Sequence, residues 1–256
     1  DRLGTSGYKS NVSGFTIGTQ FEYLDDFRFG LSSKNIIEKI EVDGSASAKQ
    51  KKQDGNYFDS FIGLDFIYDK RNQRYQTTRG FLSDYNLNLP ILSDTNTLTN
   101  VYNYKVFKEL YENNVSSLSF LFKAASSLSG DDIKLSERMF IPGRKLRGFE
   151  TGKIGPKDGS DFIGGNYVSA INATTSVPKI LENVQNVDIV MFADAANIWG
   201  VDYDSSLDKS GIRSSVGLGL DWLTPVGPLT FSFAKPITKE STDIEETFRF
   251  NIGTSF

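Results

Sequence analysis

Runs in which every second residue is apolar recur from one end of this chain to the other. Ile212, Val216, Leu218, Leu220 and Trp222 keep one parity, and so do Leu118, Phe120 and Phe122, and Phe15, Ile17, Phe21 and Tyr23. Side chains of a strand alternate between the two faces of a sheet, so each run presents one greasy face and one of Ser, Thr, Asn, Gly and charge. Counting such runs predicts about eleven strands, near 13–23, 27–42, 57–68, 80–90, 100–111, 115–126, 162–175, 187–198, 211–222, 228–234 and 245–256, and no long helix. The last run puts Phe248, Phe250, Ile252 and Phe256 on one face.

A soluble sandwich and a membrane barrel both show this alternation, and the links between strands discriminate between them. Short links at 24–26, 112–114 and 223–227 alternate with longer ones at 43–56, 91–99, 130–161, 199–210 and 235–244, rich in Asp, Ser, Lys and Gly. Short turns on one side and long loops on the other are the habit of transmembrane barrels. Two inner links, 69–79 and 176–186, exceed that rule. Aromatic residues reach 13%, many near strand ends where interfacial girdles belong. The fold class predicted is all-β, an antiparallel transmembrane β-barrel, with 1–256 forming one domain. An odd strand count leaves an unpaired edge that lipid does not tolerate, and Asp1 stands where a methionine would begin a chain. Both point to a fragment, with further strands on the N-terminal side.

Composition narrows the chemistry. A mean hydropathy of -0.32 matches soluble proteins, but a barrel strand needs only about 10 residues with half of them apolar, so this excludes nothing. Lys and Arg number 28 against 32 acidic residues, a net charge of -4, which provides no basic field for nucleic acid. Cys and His are both absent, removing thiol nucleophiles, imidazole bases and the commonest metal ligands together. No enzyme, cofactor or metal is expected.

The stretch Phe140-Ile141-Pro142-Gly143-Arg144-Lys145-Leu146-Arg147-Gly148-Phe149 lies inside the longest link, followed by Ile154-Gly155-Pro156 and Gly164-Gly165-Asn166. Tyr68-Asp69-Lys70-Arg71 follows a strand, and Gly80 closes the turn after it. Phe192-Ala193-Asp194-Ala195-Ala196-Asn197-Ile198-Trp199, Thr224-Pro225-Val226-Gly227-Pro228-Leu229 and Phe250-Asn251-Ile252-Gly253 come later. In this order the segments resemble the BamA family of outer-membrane β-barrel assembly factors, most sharply from about residue 140 onward. The chain departs from the family pattern at Thr77, where a proline is common, at Thr174, where a glutamate is usual, and at Pro142-Gly143 in place of Gly-Gly.

The resemblance implies a barrel of about sixteen strands, of which this chain supplies the last eleven, with the link 130–161 folded back into the lumen. It makes Arg147-Gly148-Phe149 the loop anchor and Asp69, Arg71 and Gly80 a periplasmic turn motif. Phe248, Phe250, Ile252 and Phe256 become one side of a lateral seam. A guanidinium inside a barrel needs a carboxylate, and Asp194 shares its parity with Val190 and Phe192, so Asp194 is the expected partner of Arg147. The implied activity is insertion of nascent outer-membrane barrels by strand addition at the seam, the C-terminus being periplasmic. The implied partners are those substrates, outer-membrane lipids and lipopolysaccharide, assembly lipoproteins and periplasmic chaperones. A related translocation pore is the alternative, and a passive porin a weaker one.

Other motifs carry less. Asp202-x-Asp204-x-Ser206 starts like a calcium loop, but Leu207 occupies the glycine position, so a solvated loop is expected. Asn11, Asn114 and Asn172 open glycosylation triplets that are discounted as chance. Lys49, Lys51 and Lys52 could touch lipopolysaccharide phosphates, with simple solvation the plainer expectation.

Overall fold

A computed structural model describes residues 7–74, 76–112, 114–177, 186–224 and 227–253. Phe256, Pro225 and Val226 lie outside the described residues. Eleven strands form one antiparallel sheet in chain order. They are β1 (Tyr8–Leu24), β2 (Phe27–Val42), β3 (Gly55–Asp69), β4 (Gly80–Ser93), β5 (Thr97–Tyr111) and β6 (Asn114–Ser127). After a long excursion come β7 (Tyr167–Ser176), β8 (Val187–Trp199), β9 (Arg213–Thr224), β10 (Gly227–Thr238) and β11 (Phe248–Ile252). No helix among the described residues is long and apolar enough to cross a membrane, as expected of a chain that crosses with strands.

Every alternating run became a strand, and the burial pattern is the inverse of a soluble protein's. Phe15, Ile17, Leu118, Met191, Leu218 and Phe233 are exposed, while Ser119, Asn172, Asp194, Ser215 and Ser232, on the opposite parity, are buried. Apolar side chains facing outward in such numbers require a hydrocarbon solvent. On the outer face, aromatic rings run from strand to strand. Phe29 meets Phe66 at 5.3 Å, Phe66 meets Tyr85 at 6.2 Å, Tyr85 meets Tyr102 at 6.5 Å and Tyr102 meets Phe120 at 6.3 Å. Cross-strand register sets these pairs, since Phe29↔Phe66 and Phe66↔Tyr85 are direct partners.

Several expected boundaries move, β1 starting at Tyr8 and β10 running to Thr238 among them, and three of the shifts have a local reason. The link expected at 91–99 shrinks to 94–96, because β4 and β5 continue past it and Asp94 accepts the Phe58 amide at 2.7 Å. The strand expected from 162 begins at Tyr167. Asp161–Phe162 folds back on Lys157–Asp158 and Gly164, at φ +71, turns the chain into Tyr167. The strand expected over 245–256 loses its start, since Glu245–Glu246 leaves the wall and pairs with Gly148–Phe149.

The sheet curls around its polar face. Arg71 and Lys105 on one side and Asp221 and Thr230 on the other line a single cavity of about 340 Å³ at the turn end. A second cavity of about 1420 Å³ extends inward from there to Lys145 and Arg147. Toward the loop end the interior is a packed apolar core. Leu121, Val168, Ala170, Ala196 and Ile198 point in from β6, β7 and β8 and bury Ile141, Leu146, Phe149 and Ile154 of the excursion. Each of those four large side chains contributes roughly 1.5–3 kcal/mol on burial, enough to hold an otherwise irregular segment in place.

Candidate functional site: a loop seated inside the barrel

Residues 128–166 form the excursion, and it touches both walls. On the far wall Arg147 forks onto Asp194 of β8, with Nε 2.8 Å from Oδ2 and Nη2 2.7 Å from Oδ1. The same carboxylate accepts the Arg147 backbone N–H at 3.1 Å and the Asn172 amide at 3.0 Å, so all four contacts saturate it. Its side chain is fully buried, whereas Arg147 retains 14% exposure toward the larger cavity. The guanidinium carbon also sits 3.3 Å from the centroid of the Phe192 ring, on the same strand face. Ser215 of β9 donates to the Arg147 carbonyl, and Asn172 donates to the Lys145 carbonyl at 2.8 Å.

Gly148 follows at φ +91, and a Cβ there would meet Ala234 at 3.2 Å and Ser215 at 3.3 Å. Only glycine combines that backbone conformation with so close an approach to the wall. Phe149 is 1% exposed in the apolar core. Lys145 donates to Ser119 at 3.1 Å; burial, with Lys105 and then Arg147 nearby, pushes its amine down to about 8. Thr174, at the position where the resemblance would place a glutamate, lines the cavity, and the Asn172 amide supplies the neighbouring polar contact to Asp194.

The near half of the excursion is anchored to β2 and β3. Lys134 Nζ lies 2.5 Å from Asp59, 3.0 Å from Glu38 and 3.7 Å from Glu137, at 1% side-chain exposure. Burial alone would lower this amine, but Glu137, Asp59 and Glu38 together hold it above the usual lysine range. Ser10 and Ser136 complete the shell of Glu38, and Thr95 donates to Asp59 at 3.1 Å. The Tyr8 hydroxyl donates to the Leu135 carbonyl at 3.1 Å. Arg138 pairs with Asp202 from the link between β8 and β9.

A third group of contacts joins the excursion to the link before β11. Arg213, fully buried, forks onto Asp243 at 2.9 and 3.2 Å, and Asp243 accepts the Gly155 amide at 3.3 Å. Arg249 of β11 donates to the Gly143 and Phe149 carbonyls.

At the turn end, Arg71 forks onto Asp69 with both contacts at 2.8 Å, and the Lys70 N–H donates to the Phe81 carbonyl at 2.8 Å. Gly80 stands at φ +98, where a Cβ would lie 2.0 Å from the Lys70 carbonyl oxygen. Gly80→Ala is therefore expected to destabilise the barrel by about 3 kcal/mol, combining left-handed backbone strain with overpacking. A urea titration in vesicles, read by electrophoretic mobility without boiling, measures it.

Sequence parity put Phe248, Phe250 and Ile252 outward, and all three are exposed, facing away from the lumen. It did not single out Lys134, Asn172, Ser215, Arg213, Asp243 or Arg249. Asn172, Ser215 and Arg249 were readable as inward positions in their strands, but Lys134 and Asp243 lie in links without periodicity. Lys49, Lys51 and Lys52 are exposed, as expected of solvated loop charges, and some of the loop charges also have partners. Lys49 pairs with Asp204 at 2.7 Å, Lys51 donates to the Gly44 carbonyl at 2.6 Å, and Asp202 accepts the Ile133 amide at 2.6 Å. Asn114 and Asn172 are buried, which closes two of the glycosylation triplets to modification.

A family model described as the Omp85 superfamily domain matches residues 2–256. The chain is 26% identical over 257 residues to outer membrane protein assembly factor BamA of Neorickettsia risticii, covering 97% of this chain and 34% of that protein. It is 31% identical over 139 residues to BamA of Neisseria meningitidis serogroup B, covering 43% of this chain and 17% of that one. The chain thus spans about a third or less of the length of the curated relatives it matches. Among solved structures, the crystal structure of BamA from Haemophilus ducreyi lacking POTRA domains 1-3 superposes with a TM-score of 0.88 at 23% identity. That match covers 95% of this chain and 54% of the other, and shows a shared fold. With the family match running almost end to end over an eleven-stranded wall of this kind, the chain belongs to the Omp85 superfamily.

Proposed function

We propose that this chain forms the membrane-embedded barrel of an outer-membrane protein insertase, which templates the folding and insertion of nascent β-barrel proteins at a seam that includes β11. A nascent barrel strand has backbone groups that lipid does not satisfy, so insertion needs a strand edge already in the membrane. Strand addition at the edge supplies the hydrogen bonds, and no covalent chemistry, cofactor or metal enters. The observation that carries this reading is the internal plug. Arg147-Gly148-Phe149 is clamped to Asp194 in a chain whose relatives are named assembly factors.

In this reading 1–256 is part of the barrel domain of a longer protein in the bacterial outer membrane, with the turn end and the C-terminus facing the periplasm. Phe248, Phe250 and Ile252 present the seam's lipid face, and the Asp69-Arg71-Gly80 turn is periplasmic. The partners are nascent barrels, outer-membrane lipids and lipopolysaccharide, with assembly lipoproteins and periplasmic chaperones delivering substrate. The test uses the full-length protein in liposomes and a urea-unfolded small barrel as substrate. Folding is followed by the appearance of a heat-modifiable band. Acceleration of about tenfold over empty liposomes is expected, and Arg147→Ala is expected to remove most of it. Equal rates with and without the protein would sink the reading. A translocation pore is the second reading, favoured by the cavity of about 1420 Å³ beside the plug, and a steady open conductance in a planar bilayer would support it instead.

A further inference from the structure

Among the described residues strand β11 is held to β10 by five register pairs, from Leu229↔Ile252 to Phe233↔Phe248, with the Gly253 N–H donating to the Pro228 carbonyl and the Ala234 N–H to the Thr247 carbonyl, each at 2.9 Å. The β1 and β2 pair, by contrast, runs the length of both strands, from Tyr8↔Val42 to Leu24↔Phe27. Immediately before β11 the chain abandons the wall and pairs with the plug, Glu245 opposite Phe149 and Glu246 opposite Gly148. The residue at the junction is Arg249, inward between outward Phe248 and Phe250 and 9% exposed. Its Nη1 donates to the Gly143 carbonyl, its Nη2 to the Phe149 carbonyl at 2.5 Å, and its Nε to Glu246 at 2.7 Å. Those two carbonyls bracket the segment that carries Arg147. Gly143 leaves room for the guanidinium, since a Cβ there would lie 2.3 Å from the Thr151 Oγ1 and 2.4 Å from Nη1.

We propose that Arg249 is a positioning residue that couples the pairing of the last strand to the seating of the plug. Peeling β11 from β10 drags or breaks two charge-assisted bonds to the plug backbone, one buried and one part-buried, and unseating the plug removes the acceptors that hold Arg249 inward. The two openings are therefore one event. The meaning of this coupling for insertion rests on the insertase reading above, but the coupling itself is a property of the barrel.

Amide hydrogen exchange on the full-length protein in lipid nanodiscs tests it. Arg249→Gln keeps a polar amide but is shorter and loses the charge and the fork; Gly143→Ala crowds the guanidinium, and the Thr151 hydroxyl beside it, without changing Arg249 itself. Either change is expected to speed exchange by about tenfold both at 143–150 and at 229–233 with 248–252, while β2 to β8 and the heat-modifiable band stay as in the parent. Arg147→Ala is expected to speed exchange in β11 in the parent and to add little in the Arg249→Gln background, which a purely local packing role would not produce. Acceleration confined to one of the two segments, or full additivity of the two substitutions, overturns the coupling. If the parent protein fails to insert substrate while the coupled exchange is seen, the insertase reading falls and the coupling stands.

Discussion

Replacing Lys134 with methionine is expected to lower the stability of the barrel by about 3–5 kcal/mol near neutral pH, because it strips the counter-charge from three carboxylates that have lost their water. Asp59 is fully buried, Glu38 is 3% exposed and Glu137 13% exposed, so none of them can rehydrate without opening the loop. The pH dependence follows from the direction of the Glu137 shift. Burial raises its pKa, Lys134 opposes the rise, and Asp59 and Glu38 add to it. An acid whose folded pKa lies above its unfolded one penalises the folded state at pH values above the folded pKa. The penalty disappears as pH falls to the ordinary glutamate range. Losing Lys134 raises the folded pKa further, so the variant should recover stability on acidification over a wider window than the parent. Denaturant titrations at pH 5 and pH 8 check this. A variant equally destabilised at both would show that the carboxylates do not carry the loss, leaving the contact of the amine with the Tyr57 ring, 5.0 Å from its centroid, as the interaction removed.

The Arg147 and Asp194 pair should behave asymmetrically. Arg147→Ala leaves a sealed carboxylate with only the Asn172 amide and one backbone N–H, and a loss of about 3–5 kcal/mol is expected. Asp194→Ala leaves a guanidinium that borders a cavity of about 1420 Å³ and can take up water there, so its loss should be about 1–2 kcal/mol smaller. The double variant should fall short of the sum by about 2 kcal/mol, the signature of direct coupling. Urea titrations of all four proteins in vesicles, read by tryptophan emission, complete the cycle. Simple additivity would mean that the fork seen at 2.7 and 2.8 Å contributes no pairwise energy.

Both predictions concern the same mechanical fact, that the excursion 128–166 is fastened at two points, near its start and at its middle, to different walls. Lys134 ties it to β2 and β3, and Arg147 ties it to β8. Ile141 and Leu146 between the two ties, and Phe149 just after the second, fill the interior. A segment held only by its apolar side chains could slide, but one held by two buried charge clusters of fixed geometry has one seat. Arg138 with Asp202 and Lys49 with Asp204 add cross-links among the long links, so the plug is also covered from its own end.

How much of this was legible beforehand depends on the kind of information each feature carries. Strand positions, the outward faces of Phe248, Phe250 and Ile252, and the inward parity of Asp194 are local properties of a two-residue repeat, and the chain displays them directly. The turn at Asp69, Arg71 and Gly80 is local too, closed within eleven residues by a fork and a positive φ. Where the excursion goes, by contrast, is settled by contacts between residues far apart in the chain. Lys134 meets Asp59 across 75 positions, and Arg249 meets Gly143 across 106. Neither spacing leaves a trace in composition or period. That Glu245–Glu246 leave the wall and pair with the Gly148–Phe149 backbone inside the lumen is likewise a contact between distant segments. Alternation along the chain thus determined the wall, its two faces and its turns, because those depend on neighbours in sequence. Only the closed-in geometry decided which charges meet inside it, because burial makes a lone charge costly and selects whichever opposite charge the curvature brings within reach.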